Sequence, residues 1–376
     1  MKRISLFLYI VVLLLSACSG RSNTSSISSQ GDTIALRYAE NLTLIDCKEY
    51  KLVQLRNPWD STKILHTYLL VDRNLPLPAH LPEGTVVRTP LSKAVVYSSV
   101  HCSLMKQIGA LNSVGGVCDL QYMKLPEIQE GYKSGAILDL GNGMNPNIEK
   151  IIDMHPDAIM LSPFENSGGY GRIEKLNVPI IECADYMETS SLGRAEWMRF
   201  YGMLFGKEQE ADSLFAEVEK EYNALKQKVA VLSYAPSVIS ELKNGSAWYV
   251  PGGKSTTARI YEDAGANYLF SNDNHSGSVP LAFETVFDKG QHAGFWLIKY
   301  NQPTNKTYDE LKKDYAPYAN FRAFKEKNIY GCNTNNVLFY EESPFRPDYL
   351  LKDLIKIFHP TTLEEHSLRY FSKLAD

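Results

Sequence analysis

The sequence lacks the short motifs that mark the common classes of enzyme and nucleotide-binding protein. It contains no phosphate-binding loop, no G-x-S-x-G nucleophile elbow and no H-E-x-x-H metal helix, and its eight histidines are scattered. The net charge of -4 comes without a basic stripe, which argues against a nucleic-acid partner. We therefore expect a protein that is not an enzyme and has neither a cofactor nor a metal site of its own.

Long hydrophobic runs are also missing. The apolar stretch over 4–15 follows two basic residues and is too short to cross a bilayer, which takes about 20 apolar residues. It leads into the small residues Ser16 and Ala17 and then Cys18, an arrangement typical of a secretory signal. The last residues resemble the bacterial lipoprotein lipobox. On this interpretation Cys18 carries the acyl chains, and the protein is lipid-anchored in the cell envelope, facing the periplasm, with no other membrane contact.

Closely spaced cysteine pairs are absent as well. Five cysteines remain beside Cys18, widely spread and without C-x-x-C spacing, so a disulfide framework is not expected. The favoured interpretation is that they are small buried hydrophobic residues. A soft metal site is the weaker alternative, because His101-Cys102 and Cys118-Asp119 both follow predicted strands.

The length of 376 residues favours two domains rather than one. A Ser-rich stretch has the composition of a flexible tether, loose strand-like alternation follows it, and from Lys93 onward short apolar strands alternate with helical segments. This alternation is typical of parallel βαβ units, so the predicted fold class is α/β. The predicted division is a signal over 1–18, a tether over 19–31, an N-terminal β-extension over 32–92, an N-terminal lobe over 93–206, an interlobe helix over 207–230 and a C-terminal lobe over 231–376.

One predicted helix is much longer than its neighbours. It begins near Glu208 and runs for about 20 residues, or about 30 Å. One face of this helix is apolar and the opposite face is charged. The apolar stripe consists of Ala211, Leu214, Phe215, Val218, Tyr222, Leu225 and Val229. The helix is either a surface helix packed on one domain or a rigid strut that joins two domains.

Two segments on either side of this helix are alike. Glu149 and Glu284 are each followed at the same offsets by two apolar residues, an aspartate and an alanine that leads into a predicted strand. Each glutamate lies near the start of a short helix, where the helix dipole favours a negative charge. The repeat is what two related lobes would produce.

Six stretches of the sequence carry motifs of a known family, namely 95–99, 145–161, 193–197, 206–207, 250–255 and 263–268. These motifs resemble those of the metal-chelate substrate-binding proteins that serve bacterial ATP-driven importers for siderophores, haem and vitamin B12, a family with a helical connection between its lobes. The resemblance covers most of residues 93–360.

The resemblance implies two α/β lobes joined by one long rigid helix, with a small-molecule chelate held between them. It also implies a permease dimer as partner, whose arginines would pair with one glutamate from each lobe. The matching positions are Glu149 and Glu284. Such carboxylate–guanidinium pairs are charge-assisted and fix orientation as well as affinity.

Ligands of open α/β sheets bind beyond the carboxyl ends of the strands. Applied to both lobes, this rule predicts ligand-binding positions at Ser98, Ser99, Cys118, Asp119, Ser162, Phe164, Tyr170, Trp248, Tyr249, Lys254, Tyr300 and Asn335. Trp248 and Tyr249 are the preferred candidates, since they precede a Pro-Gly-Gly turn and offer flat apolar area. The alternatives are a carrier of bare Zn or Mn and a two-lobe enzyme or cofactor scaffold.

Overall fold

The computed structural model describes residues 31–165 and 169–376. Cys18 and most of the predicted tether lie outside the described residues. The described part of the chain begins with a five-stranded sheet in the order β1-β2-β3-β4-β5. All of its neighbouring strands are antiparallel except the parallel pair β4–β5. Its strands are β1 Asp32–Ile34, β2 Leu42–Cys47, β3 Tyr50–Arg56, β4 Ile64–Asp72 and β5 Thr85–Thr89.

The next sheet belongs to the N-terminal lobe and has the order β12-β11-β6-β7-β8, with all strands parallel. Its helices pack on both sides of short, almost fully buried strands. The elements are β6 Ala94–Val96, α1 Ser99–Gln107, β7 Val114–Val117, α2 Pro126–Ser134, β8 Leu138–Asp139, the hairpin of β9 Gly141–Asn142 and β10 Asn145–Pro146, α3 Ile148–Met154, β11 Ala158–Leu161 and β12 Ile180–Glu182.

Three helices follow, namely α4 Ser191–Glu196, α5 Met198–Phe205 and α6 Glu208–Ala230. Gly206 ends α5 with φ of 63°, a left-handed conformation that glycine adopts without strain. Helix α6 is the predicted long helix. Its buried residues include Ala211, Phe215 and Val218, so the apolar stripe read from the sequence is the face that packs.

The C-terminal lobe repeats the α/β pattern around a sheet in the order β16-β13-β18-β19-β20, with a three-stranded sheet β14-β15-β17 beside it. Its elements are β13 Ser237–Ser240, β14 Lys243–Asn244, β15 Ala247–Pro251, α7 Thr256–Asp263, β16 Asn267–Tyr268, β17 Ser278–Leu281, α8 Phe283–Gly290, β18 Phe295–Tyr300, α9 Tyr308–Asp314, α10 Arg322–Lys325, β19 Ile329–Asn333, α11 Phe339–Glu342, α12 Pro347–Phe358 and β20 Ser372–Lys373.

The N-terminal sheet is fastened to the rest of the chain by buried carboxylates. Glu196 accepts hydrogen bonds from the backbone N–H groups of residues 37–39 at 2.8–3.1 Å, and Glu188 accepts those of residues 40–41 at 2.9 Å. Trp197 Nε1 donates to Glu188 as well, at 2.8 Å. Five consecutive donors are therefore satisfied by two carboxylates, which removes the cost of burying either set alone.

The N-terminal sheet also covers an edge of the next sheet. The Tyr68 hydroxyl on β4 donates to Ile180 O and accepts from Glu182 N, both at 2.9 Å. These are the backbone groups that edge strand β12 would otherwise leave unpaired. One side chain thus continues the sheet's hydrogen bonding and protects an edge that could pair with another chain.

The five cysteines among the described residues are all buried. Cys47, Cys102, Cys118, Cys183 and Cys332 are all free and buried, which confirms the interpretation of these residues as small hydrophobic residues. Within residues 31–165 and 169–376, no helix combines the length and apolar character needed to cross a bilayer. In the same part of the chain, no group of three or more His, Cys, Asp or Glu side chains is arranged to hold a metal ion.

Candidate functional site

The carboxyl ends of the N-terminal-lobe strands open onto a cavity of about 560 Å³. Strands β6, β7 and β11 are neighbours in the sheet or separated by one strand, so the loops that follow them meet at one edge. The structure thereby brings together five of the predicted ligand positions. The cavity is lined by Ser98, Asp119, Ser162, Phe164 and Tyr170 among others.

Asp119 is held in a fixed position at the rim of this cavity. It adopts a left-handed conformation with φ of 51°, and its carboxylate accepts hydrogen bonds from Gly143 N at 3.0 Å and Asn142 Nδ2 at 3.2 Å. A Cβ atom on Gly143 would come within 2.8 Å of Asp119 Oδ2, so a larger residue at this position would displace the carboxylate. The Gly-Asn-Gly turn therefore orients the Asp119 carboxylate.

A second cavity, of about 820 Å³, adjoins the first at Asp119. Asn335, which follows β19, lines this second cavity from the C-terminal lobe. Nearby, the Lys124 ammonium donates to the backbone oxygen of Thr334 and so links the two lobes. Two predicted ligand positions from different lobes, Asp119 and Asn335, therefore line the same cavity.

Two exposed apolar side chains mark the wall of the first cavity. Met144 has 82% of its surface exposed and Phe164 has 50%, so the cavity presents apolar surface to solvent. Sequence reasoning missed Met144 and also Tyr97 and Arg172, which line the same cavity. The Gly-Asn-Gly turn could have indicated Met144. This turn comes shortly after a strand, so the residue that follows it lies at the edge of the sheet where the strands end.

Two of the predicted N-terminal positions lie elsewhere. Cys118 is completely buried in a hydrophobic cluster with Val95, Leu140 and Ile151, and burial raises the pKa of its thiol to about 12. The prediction that Cys118 touches ligand is therefore corrected. Cys118 directly follows β7 and is still buried, and the next residue, Asp119, is the one that reaches the cavity. Ser99 begins α1 and lines neither of the two cavities.

One of the two preferred C-terminal candidates, Trp248, is also corrected. Trp248 is fully buried, its ring centroid lies 5.4 Å from that of Trp296 and 5.6 Å from that of Tyr318, and its Nε1 donates to Ser240 O at 3.0 Å. Its flat apolar area is used to build the lobe's interior. Strand alternation then points Tyr249 the other way, and it is 47% exposed.

The remaining C-terminal candidates line neither of the two cavities. Tyr249 lies on β15 opposite Pro280, and Lys254 is an exposed residue whose backbone N–H donates to His275 O at 3.0 Å. The Tyr300 hydroxyl accepts a hydrogen bond from Lys306 N at 2.9 Å. These contacts organise loops of the C-terminal lobe, and the roles proposed for these side chains in binding stay predictions.

Glu149 and Glu284 occupy equivalent places in the two lobes. Each is exposed and is the second residue of its helix, α3 and α8 respectively. Each helix leads into a strand that lies inside its sheet, β11 in one lobe and β18 in the other. Asn147 caps α3 by accepting from Lys150 N at 3.0 Å, which leaves the Glu149 carboxylate free of that task.

Comparison with known proteins identifies the family. The model of a family described as periplasmic binding proteins matches residues 104–335, which is more than half of the chain. An uncharacterized lipoprotein of Methanocaldococcus jannaschii is 27% identical over 371 residues, covering 92% of this chain and 87% of its own. Relatives of this kind are named for a lipid anchor rather than for a substrate.

Solved structures share the fold at low sequence identity. A substrate-binding protein of an ABC transporter from Listeria monocytogenes has a TM-score of 0.56 at 17% identity, covering 72% of this chain and 99% of its own. A periplasmic haem-binding protein from Pseudomonas aeruginosa has a TM-score of 0.58 at 15% identity, covering 76% and 99%. Such proteins bind solutes for ABC permeases and are not enzymes. With two α/β lobes, a long connecting helix and a matching family model, this chain belongs to the periplasmic binding proteins, in the class whose lobes are joined by a helix.

Proposed function

We propose that the chain captures a bulky metal chelate of the siderophore, haem or cobalamin class and delivers it to an ABC permease dimer. The observation that carries the proposal is the pair of adjoining cavities at the strand ends of the N-terminal lobe, of about 560 and 820 Å³. Sites for drug-sized ligands and cofactors usually measure about 300–1,000 Å³. A wall with exposed Met144 and Phe164 beside fixed Asp119 suits a ligand with a large apolar face and a few polar groups.

A chelate is favoured over a bare ion. Zinc or manganese would need about three or four protein ligands in one place, and the described residues include no such group of His, Cys, Asp and Glu. The haem-binding protein of Pseudomonas aeruginosa shares this fold, which makes haem one of the first ligands to test.

The experiment is a titration of the purified chain with haemin, ferric hydroxamate and catecholate siderophores, and cyanocobalamin. Binding is followed by visible absorbance and by native mass spectrometry. We expect one ligand per chain and no turnover. Zinc and manganese serve as controls. Retention of a bare metal after dialysis, together with no chelate binding, would contradict the proposal.

We further propose that Glu149 and Glu284 dock the protein on the permease. Both are exposed, both occupy the second position of a helix, and the two helices belong to different lobes. A permease dimer would offer two sets of arginines, and each carboxylate could accept a bidentate guanidinium pair. This arrangement would fix the orientation of the binding protein without involving its ligand cavities.

We also propose that Cys18 is the lipid anchor and that the chain is tethered to the cell envelope, with the periplasm as its working compartment. The name of the Methanocaldococcus jannaschii relative supports a lipoprotein. The test is Cys18→Ser followed by detergent partitioning of the cell envelope. We expect the variant to leave the detergent phase, and an unchanged partition would contradict the anchor.

For the domain division we propose a β-extension over 32–92, lobes over 93–206 and 231–376, and a connecting helix over 207–230. The sheets support this division. Among the described residues, strands pair only within each of the groups β1–β5, β6–β12 and β13–β20, and no strand pairs with one of another group. Limited proteolysis of the full chain, with mass spectrometry of the fragments, tests these boundaries.

A further inference from the structure

The connection between β4 and β5 exposes a run of apolar side chains. Its loop over 74–80 reads Asn-Leu-Pro-Leu-Pro-Ala-His, and every residue of it except Pro78 is exposed. Leu75 has 54% of its surface exposed and Leu77 has 57%, and neither packs in a hydrophobic cluster of the described residues. Consecutive exposed apolar residues are a pattern that folds avoid unless the surface serves a contact. The loop is therefore a candidate contact surface.

This loop is fixed at both of its ends. Leu75 N donates to Asp72 O at 3.1 Å, and the Arg88 guanidinium donates to the backbone oxygen of Leu75. Just beyond the loop, Leu81 packs against the hydrophobic cluster that contains Leu69 of β4. The exposed leucines are thus presented to solvent from a fixed base.

Strand register places the loop at the end of the sheet where the described chain begins. Asp32 of β1 pairs with Asp46, next to the end of β2. The end of β2 pairs with the start of β3, and the start of β3 pairs with the end of β4. Gly31 and Asp72 therefore lie at the same end of the sheet, three strand spacings or about 15 Å apart.

This end of the sheet is also the one attached to the proposed lipid anchor. Gly31 is the thirteenth residue after Cys18, so the intervening chain spans at most about 45 Å when fully extended. The opposite end of the sheet carries the turn over 57–63, in which Asp60 and Lys63 form an ion pair at 2.7 Å. The apolar loop, and not the charged turn, is therefore at the end that the anchor holds near the membrane.

The chemistry of the loop suits lipid better than it suits a protein partner. The loop contains no Asp, Glu, Lys or Arg, and two of its residues, Pro76 and Pro78, have no backbone N–H. Leu75 N is already hydrogen-bonded, so few donors would lose their water on contact with lipid. The exposed charges at this end of the sheet have both signs, as in Lys48 and Asp72, so the attraction is apolar rather than electrostatic.

We infer that the loop over 74–80 inserts Leu75 and Leu77 into the interfacial layer of the membrane that holds Cys18. The inference rests on the proposed lipid anchor and adds a second membrane contact to the one at Cys18. The acyl chains keep the protein at the bilayer, whereas the loop determines which end of the N-terminal sheet faces it. Burial of apolar side chains at the boundary between headgroups and acyl chains drives such a contact.

The experiment measures the lipid contact of a fluorescent label on the full, acylated chain in vesicles. Leu77→Cys is labelled with an environment-sensitive nitrobenzoxadiazole dye, and the introduced thiol reacts selectively because the cysteines of the described residues are all buried. The vesicles consist of phosphatidylethanolamine and phosphatidylglycerol with a share of lipid that carries a nitroxide on its acyl chain, and they contain no permease. We expect the nitroxide to quench the label. Ser61→Cys, exposed in the turn at the opposite end of the sheet, is the matched control and should stay unquenched.

A second set of variants tests the leucines themselves. Ala79→Cys carries the label, either alone or together with Leu75→Asp and Leu77→Asp. The two carboxylates should lower quenching at least about threefold, because a charged side chain is strongly disfavoured in a bilayer. Flotation with the vesicles should be unchanged, since the acyl chains are intact. Salt at about 1 M should not lower the quenching of Ala79→Cys alone, because screening weakens contacts between charges and not apolar contacts.

Flotation separates a failure of the inference from a failure of the anchor. A chain that floats with the vesicles but shows no quenching in Leu77→Cys would overturn the inference and leave the anchor intact. A chain that carries no acyl groups and does not float would refute the anchor and, with it, the inference.

Other results would also overturn the inference. They are equal quenching in Ser61→Cys and Leu77→Cys, and unaltered quenching in the variant with both aspartates. A dye response that grows with protein concentration in the absence of vesicles, or that appears only after permease is added, would assign the loop to a protein partner instead. Circular dichroism of every variant identifies any loss that comes from misfolding, and the Leu77→Cys measurement stands if the aspartate variant unfolds.

Discussion

The two lobes share an α/β architecture but use their aromatic residues differently. In the N-terminal lobe, Phe164 lies beside a cavity and is half exposed, next to the almost fully exposed Met144. In the C-terminal lobe, Trp248, Trp296 and Phe321 are completely buried and pack with ring centroids 5.1–5.8 Å apart. The first lobe leaves apolar side chains exposed beside a cavity, whereas the second buries its aromatic rings in its interior.

The reason lies in the extra sheet of the C-terminal lobe. Strand β15 pairs with β14 and β17 on its two sides, and this sheet brings Trp248 against Trp296 of β18. Among the described residues of the N-terminal lobe, the additional sheet is the short two-stranded hairpin β9–β10. Similar strand–helix alternation can therefore end in an open cavity or in a filled core.

The sharpest test of this difference is Trp248→Ala. We expect it to lower the free energy of unfolding by about 3–5 kcal/mol, because a large cavity would replace a fully buried ring. Urea denaturation followed by circular dichroism measures the change. Tyr249→Ala, at the exposed neighbouring position, is the matched control and should change stability by less than about 1 kcal/mol. Equal losses in both variants would break the comparison.

The next effect concerns the buried charges of the N-terminal lobe. The pKa of His101 is raised from 6.5 to about 10, since Cys183 and Asp185 outweigh the lowering by burial. A group with a raised pKa stabilises the fold fully below its unfolded value and loses that contribution as pH rises through its folded value.

Stability should therefore fall between about pH 6.5 and pH 10, and His101→Gln should remove that part of the decline. Urea midpoints measured across this range provide the check. His366, which contacts Asp353 in the C-terminal lobe at 2.8 Å, gives a control variant, His366→Gln, that should keep the decline. An identical pH profile in His101→Gln and the unaltered chain would contradict the role of His101.

A smaller effect is expected at the cavity wall. Phe164→Ala should leave stability nearly unchanged, because the ring is half exposed, yet weaken chelate binding by about 1 kcal/mol, a typical loss for one aromatic contact. Affinity is measured by absorbance titration with the chelate identified in the ligand screen. Tyr234→Ala, an exposed aromatic outside the cavity, serves as control. Unchanged affinity would move the ligand away from Phe164.

The smallest effect on the isolated protein is predicted for Glu149→Ala combined with Glu284→Ala. Ligand affinity and stability should stay as they are, because both carboxylates are exposed and line neither of the strand-end cavities. Transport and permease binding should be lost, since charge-assisted pairs would be removed from both lobes. Glu130→Ala with Glu365→Ala, two other exposed carboxylates, is the matched control. Normal transport by the docking variant would show that these glutamates only stabilise helix starts.

Sequence reasoning succeeded where the signal was local and repeated. The stripe from Ala211 to Val229 has helical period over five turns, so α6 could be recognised without any knowledge of its neighbours. The loose strand-like alternation over β3 and β4 is a similarly local signal. Ser98, Asp119 and Ser162 line one cavity, as expected for the ends of parallel strands that meet at one edge, and their contact with a ligand stays a prediction.

What the sequence alone determined is the α/β alternation, the long helix and the set of strand ends at which a ligand could bind. Only the tertiary structure decided which strand ends are open, because burial depends on residues distant in sequence. Trp248 lies on β15 and Phe164 follows β11, and both are large aromatic residues, yet Trp296 and Tyr318 cover the first ring whereas half of the second is exposed. The same holds for Glu196 and Glu188, whose role in fastening residues 37–41 depends on contacts about 150 positions apart.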